Sequence, residues 1–214
     1  MLHGKKILIT AGPTYERIDP VRFIGNYSTG KMGFALARAC ADAGAEVLLV
    51  AGPVQQKITH QRIERIDVES ARQMYEAAVS HFAECDGAVL CAAVADFTPV
   101  VVADKKIKRT GEKIVIELEP TRDIAAALGR QKSAAQFLVG FALETHDEEA
   151  HALEKMRRKN FDFIVLNSLN DDKACFGYDT NKITILKASG EKLAFALKPK
   201  NEVAADIVSE LEKL

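Results

Sequence analysis

Short apolar runs rich in Val, Ile and Leu alternate along the chain with longer segments whose apolar residues recur every three or four positions. Runs of the first kind suit strands buried on both faces, and segments of the second kind suit the helices that cover them. Strands are predicted at Lys6–Thr10, Glu46–Ala51, Ile63–Asp67, Gly87–Ala92, Phe137–Ala142 and Phe163–Asn167. Helices are predicted at Lys31–Ala43, Ser70–Ala83, Asp123–Arg130, Asp147–Lys159 and Lys200–Leu214. The alternation implies an α/β fold with a Rossmann-like, doubly wound, mainly parallel sheet. Two segments interrupt it. Thr98–Glu119 is a basic stretch running into an alternating strand, read as a flap, and Ile183–Leu197 reads as an added β-hairpin turning at Ser189-Gly190. With no repeat, low-complexity tract or linker-like shift in composition, one domain over residues 1–214 is expected.

Composition narrows the function. Lys+Arg 29 against Asp+Glu 30 leaves a formal net charge of −1, so nothing global favours nucleic acid or an anionic membrane, and a small-molecule partner is expected. The four cysteines (Cys40, Cys85, Cys91, Cys175) form no C-x-x-C pair, which suits reduced thiols rather than disulfides. His146 and His151, five apart, fall on different faces of a helix, and no zinc site is expected. Without a membrane-length apolar run or a leader pattern, the chain reads as cytoplasmic.

The stretch GNYSTGKMG (Gly25–Gly33) differs by one letter from a phosphate-binding P-loop, carrying Met32 where the magnesium-binding hydroxyl stands. The connection after the first strand is also too long for a P-loop or a dinucleotide fingerprint, both of which place their glycines directly between strand and helix. Tyr27 and Lys31 have the spacing of a short-chain dehydrogenase pair, but without its glycine motif. What these residues offer is an anion site. Gly30 and Gly33 permit close backbone approach, Ser28 and Thr29 offer hydroxyls and a helix N-cap, and the next helix aims its amides at the loop. An ordinary capped turn would use the same residues. Gly12, at the carboxyl end of the first strand, stands where ligands of open α/β sheets gather.

Other segments admit two readings each. Ala92 and Ala93 let a ligand lie against a strand end with the Asp96 carboxylate beside it, or simply pack a helix closely. Lys105, Lys106, Lys108, Arg109 and Lys113 form either a solvated charge run or a mobile flap reaching a polyphosphate. Lys155 and Lys159, four apart, share a helix face and repel unless something negative lies there. Phe141 offers a wall for a base or sugar, or a core ring. Asn167 ends its strand as the sole polar residue of FIVLN.

Together, AGPTYERIDPVRFIGNYSTGKMGFALA, AAVADF, KIKR, GFALET, KMRRKNFDFIVLN and FGYDTN, in this order and spacing, resemble the bacterial phosphopantothenoylcysteine synthetase family over essentially the whole chain. The resemblance implies a homodimeric, CTP-dependent ligase of coenzyme A biosynthesis. It would join 4′-phosphopantothenate and L-cysteine through an acyl-cytidylate, with Mg²⁺ and no assigned metal ligands. Such domains are often fused behind a flavin-dependent decarboxylase, so this chain is expected to be a free-standing synthetase or half of a bifunctional protein. By the same resemblance, Asn26 and Lys106 are the catalytic residues, Gly12, Ser28, Gly30 and Gly33 cradle the triphosphate, and Lys106, Lys155 and Lys159 bind nucleotide. Pro120, Asp123, Phe141 and Asn167 meet the base and ribose. Asn26 orients the acyl intermediate; Ala92, Ala93 and Asp96 grip the pantothenate arm, the last two also touching nucleotide; and Arg22 reaches the neighbouring subunit's site. Arg122, where the family usually has Pro before Asp123, and Thr29 in place of Ser depart from the pattern. A nicotinamide-dependent reductase and a non-catalytic nucleotide-binding protein are the rival readings. The first lacks its fingerprint and has Gly52 where an acid belongs.

Overall fold

In the computed structural model, which describes residues 1–109, 111, 113–144, 147–168 and 177–214, the chain opens with β1 (Lys6–Ala11). A small antiparallel ribbon, β2 (Tyr15–Arg17) with β3 (Phe23–Gly25), precedes α1 (Lys31–Asp42). Next come β4 (Glu46–Ala51), β5 (Ile63–Asp67), α2 (Ala71–Phe82) and β6 (Gly87–Leu90). A second ribbon, β7 (Phe97–Pro99) with β8 (Leu118–Pro120), leads to α3 (Ile124–Gln131), β9 (Phe137–Glu144), α4 (Glu148–Arg158) and β10 (Phe163–Ser168). The chain finishes with β11 (Thr180–Asn181), β12 (Thr184–Lys187), β13 (Lys192–Ala194), β14 (Lys198–Pro199) and α5 (Lys200–Leu211).

Eight strands form the main sheet in the order β13-β12-β10-β9-β6-β1-β4-β5, parallel from β10 through β5. The path starts at β1, moves outward to β5, then returns to build the other half from β6. That reversal beside β1 opens a crevice at the carboxyl ends of β1 and β6, where doubly wound sheets bind ligands. The hairpin expected around Ser189-Gly190 is present as β12 and β13, with Gly190 at φ 91°, a turn conformation that glycine adopts without strain.

Period-two alternation sorts the strands between two cores. Ile7 and Ile9 pack with Val47, Leu49, Phe163 and Val165 under α1 and α5. Leu8, Leu48, Val50, Ile164 and Leu166 face the layer of α2, α3 and α4. The inner strands β1, β4, β6, β9 and β10 are buried on both faces, so their sequences read as continuous apolar runs, whereas the edge strands β5 and β13 keep exposed positions.

The predicted alternating strand before Glu119 is not formed as a unit. Only its end pairs, Leu118 to Pro120 against β7. Ile114 and Val115 remain 52% and 90% exposed, so the alternation has no core to face. The basic segment is anchored at its root. Buried Asp19 accepts from the backbone N–H of Val21, Arg22 and Ile107 at 2.8, 2.9 and 3.1 Å, and Ala103 N–H donates to the Ile18 carbonyl at 3.0 Å. Cys40, Cys85 and Cys91 are free thiols, while Cys175 and His146 lie outside the described residues. Among the described residues, no helix is long and apolar enough to cross a membrane.

Candidate functional site

A cleft of about 990 Å³ lies over the carboxyl ends of four neighbouring strands, which contribute Thr10, Cys91, Phe141 and Asn167. One wall is the start of α1. Here the structure corrects an expectation: neither Ser28 nor Thr29 caps the helix. The N-cap is Gly30 at φ 76°, with no side-chain cap, and the Ser28 hydroxyl instead accepts the Gly30 N–H at 3.3 Å. The chain enters α1 through a left-handed residue, which a hydroxyl-bearing residue adopts only with strain. A Cβ at Gly30 would also stand 2.9 Å from Val54 Cγ1 and 3.5 Å from Gly12 Cα, so these two glycines let the loop and strand end approach. Without a side-chain cap, the first-turn amides of α1 remain donors for an anion. Gly33 lines the cleft too, but its steric reason is packing: its Cβ would lie 2.5 Å from Ala11 Cβ.

The floor is a stitched strand end. Ala92 N–H donates to Thr10 Oγ1 at 3.3 Å, Ala93 N–H to the Gly12 carbonyl at 2.8 Å, and Ala95 N–H to Thr14 Oγ1 at 3.0 Å. Asn26 spans it, its Nδ2 donating to the Ala93 and Val94 carbonyls at 3.0 and 3.1 Å. Asp96 and Pro120 lie at the same end of the cleft lining, where Thr121 N–H meets the Asp96 carbonyl at 2.9 Å.

The opposite wall carries the cations. Lys155 donates from Nζ to the Phe141 carbonyl at 3.0 Å, and Lys159, only 6% exposed, pairs with Asp123. Burial holds the Lys159 ammonium below the ordinary lysine pKa, against the opposing pull of Asp96. Asp123 also caps α3, accepting the Ala126 N–H at 2.9 Å, so a carboxylate expected at the nucleotide has two partners within the protein. Its neighbour Arg122 lies 4.6 Å over the Tyr75 ring.

Thirteen of the residues singled out from the sequence thus line one cleft: Asn26, Ser28, Gly30 and Gly33 on one side, Ala92, Ala93, Asp96 and Pro120 along the floor, and Asp123, Phe141, Lys155, Lys159 and Asn167 beyond. Gly12 lies beneath the loop. Lys106 and Arg22 are not brought there. Lys106 is exposed on the basic segment, and Arg22 donates to the Ile107 carbonyl at 2.6 Å while pairing with Asp19. Sequence reasoning passed over Asn181 and Lys200, both at the cleft. Lys200 had a readable signal. It occupies the first position of α5, where the helix dipole favours anions, as Lys31 does in α1.

The family model of the DNA/pantothenate metabolism flavoprotein C-terminal domain matches residues 2–214. The chain belongs to this family. It is 58% identical over 210 residues to a cysteine/cysteine sulfinic acid decarboxylase of an unknown prokaryotic organism, covering 98% of this chain and 58% of that protein. It is 46% identical over 213 residues to the coenzyme A biosynthesis bifunctional protein CoaBC of Bacillus subtilis (strain 168), covering 100% of this chain and 52% of that protein. The chain therefore spans little more than half the length of these relatives. The crystal structure of a CoaBC C-terminal domain matches with a TM-score of 0.83 and 41% identity over 99% of this chain and 95% of that one. The Rossmann-like fold and the kinship drawn from the motifs agree with this DNA/pantothenate metabolism flavoprotein C-terminal domain assignment. Within the domain, burial pushes the Cys91 thiol up to about 12 despite nearby Lys200, so it stands at the cleft as a neutral wall rather than a nucleophile. No three His, Cys, Asp or Glu side chains converge as a metal cage among the described residues.

Proposed function

We propose that this chain ligates 4′-phosphopantothenate to L-cysteine in coenzyme A biosynthesis, using CTP. The observation that carries this reading is the crevice itself: donors of an uncapped helix start face the buried Lys159 ammonium and the half-buried Lys155 across a floor of small residues. A nucleoside triphosphate needs the first two, and a slender acyl chain suits the third. The pantothenate carboxylate attacks the α-phosphorus, the bond to pyrophosphate breaks, and an acyl-cytidylate forms. The cysteine amine then attacks the acyl carbon, CMP departs with the bonding electrons, and the amine's extra proton passes to water. A carboxylate is already nucleophilic near pH 7, so no strong base is required.

In this reading Gly12, Ser28, Gly30 and Gly33 seat the triphosphate, Lys155 and Lys159 balance its charge, and Phe141 walls the nucleoside. Asn26 orients the acyl group, and Ala92, Ala93 and Asp96 hold the pantothenate arm. Mg²⁺ would be held chiefly by the nucleotide's phosphates, since no three His, Cys, Asp or Glu side chains converge among the described residues, and it would neutralise the charge of the leaving pyrophosphate. Two copies complete the assembly, Arg22 facing a neighbour's site, and the exposed Val101 and Val115 supply apolar surface for that contact. Sedimentation of the purified chain as a monomer at micromolar concentration would count against this pairing. Reduced surroundings such as the cytoplasm suit the free thiols.

The deciding experiment supplies phosphopantothenate, cysteine and Mg²⁺ with either CTP or ATP and follows pyrophosphate. Release dependent on phosphopantothenate is expected; none with any nucleotide overturns the ligase. Carbon dioxide evolved from cysteine by the chain alone would instead support the activity named in its 58% identical relative.

Two variants divide the reaction. Asn26→Asp faces carboxylate oxygens to the Ala93 and Val94 carbonyls in place of a donor, and is expected to retain a pyrophosphate burst while slowing amide formation about 10–100-fold. Unimpaired turnover would remove Asn26 from the mechanism. Lys106→Gln is expected to slow pyrophosphate release about 100-fold with unchanged thermal unfolding, because the side chain is exposed and acts only when the basic segment closes. A near-normal first step would return that stretch to a solvated charge run.

A further inference from the structure

The amide of Asn167 is held in one orientation by a relay that begins at a backbone group. Lys182 N–H donates to Asn181 Oδ1 at 3.0 Å, and a backbone N–H can only donate, so the oxygen of Asn181 is identified. The Asn181 Nδ2 therefore points away from Lys182, donating to Asn167 Oδ1 at 3.2 Å and lying 3.9 Å from the Met32 sulfur. Asn181 is only 2% exposed, so solvent does not compete for these bonds. With its oxygen engaged by Asn181, Asn167 turns its N–H₂ toward the cleft that both residues line.

The cleft that this amide lines also holds cations and backbone donors. Met32 belongs to the uncapped first turn of α1. Lys31 reaches Asp179 at 2.5 Å, and Lys200, at the head of α5, donates to the Tyr178 carbonyl. Phosphoryl oxygens accept hydrogen bonds and carry negative charge, whereas a cytosine amino group or a ribose hydroxyl also donates.

We infer that Asn181 is a positioning residue that turns the donors of Asn167 onto a phosphoryl group of the bound nucleotide. This moves Asn167 from the base and ribose, where the motif resemblance places it, to the phosphates, and it rests on the nucleotide reading proposed above. Asn181→Asp keeps an oxygen for Lys182 N–H but presents a second oxygen to Asn167. The Asn167 amide then turns round, and its carbonyl faces the phosphoryl oxygens.

The test is direct binding of magnesium pyrophosphate, which carries no base, to the full chain and to Asn181→Asp, Asn167→Ala and the double variant, with thermal unfolding recorded for each. Asn181→Asp and Asn167→Ala are each expected to weaken binding about 10–100-fold, as befits a hydrogen bond to a charged group. The double variant should bind within about threefold of Asn167→Ala alone, because Asn181 acts through that side chain. Losses that simply multiply overturn the relay, since a structural defect or direct repulsion by the new carboxylate does not need Asn167. Unchanged pyrophosphate binding in the single variants, or none by the parent chain, also overturns it. Should Asn181→Asp fail to fold, Asn167→Asp, at a half-buried position, places a carboxylate oxygen in the cleft and is expected to show the same loss; undiminished binding there overturns the proposal. Failure of the ligase itself is distinguished by turnover, as absence of nucleotide-dependent pyrophosphate release.

Discussion

Lys159→Met is expected to reduce nucleotide-dependent pyrophosphate release by about 10²–10³-fold, the usual cost of removing one preorganised charge-stabilising donor from a transition state. Three observations support so large an effect. The ammonium is nearly buried, it lines the cleft opposite the α1 terminus, and its resident partner Asp123 is about half exposed. An incoming phosphate chain can therefore take up this charge while Asp123 remains solvated and keeps its bond to α3. The methionine fills the aliphatic path of the lysine, so thermal unfolding should change much less than catalysis; equal losses in both would mark a structural ion pair. A pH dependence follows. Burial depresses the Lys159 pKa, so its proton is lost below the normal lysine value of 10.5, and nucleotide binding, which favours the charged form, restores that proton. Affinity for the triphosphate should fall as alkaline pH rises through the depressed value. The same titration in Lys159→Met should lack that component.

Gly33→Val should be the most destabilising of the proposed substitutions. Its first added carbon would stand 2.5 Å from Ala11 Cβ and 3.1 Å from Ala11 Cα, contacts with a rigid helix on one side and a central strand on the other. Overpacking of this kind costs about 1–3 kcal/mol, which for a chain of this size lowers the unfolding midpoint by roughly 2–12 °C. The strain relaxes only by lifting α1 from β1, so the helix start leaves its place at the cleft and nucleotide affinity falls with stability. Calorimetric unfolding together with nucleotide binding tests both halves. An unchanged midpoint would show that the helix and strand separate at little cost.

The sheet was legible because its inner strands are buried on both faces and their apolar runs need no partner to be recognised. Ribbons of two or three residues were not, since Tyr15–Arg17 against Phe23–Gly25 is too short to show a period. KIVIELE misled for the opposite reason: its alternation is clear, yet Ile114 and Val115 have nothing to cover. At the site, the glycine spacing and the Lys155–Lys159 interval each left two readings open, and only the motif resemblance joined them in one place. The cap at Gly30 escaped because a positive φ outweighed the preference for a hydroxyl. The pairing of Lys159 with Asp123 and the relay from Lys182 to Asn167 depend on distant segments meeting, which no local pattern records. Lys200 could have been found by asking why a cation should begin a helix.

The rims of the main sheet carry a further consequence. On β5, Arg65 grips Asp67 at 2.8 Å and Glu64 projects alongside, while the far rim, β13, begins with Lys192. Such charged borders resist the addition of a foreign strand, so the sheet is closed to growth by backbone pairing at either end. Under the proposed pairing of two copies, docking would fall to exposed valines such as Val101 and Val115 instead. Recognition between partners would then depend on side-chain shape, and crowded chains would be guarded against fibrous stacking by the same arrangement.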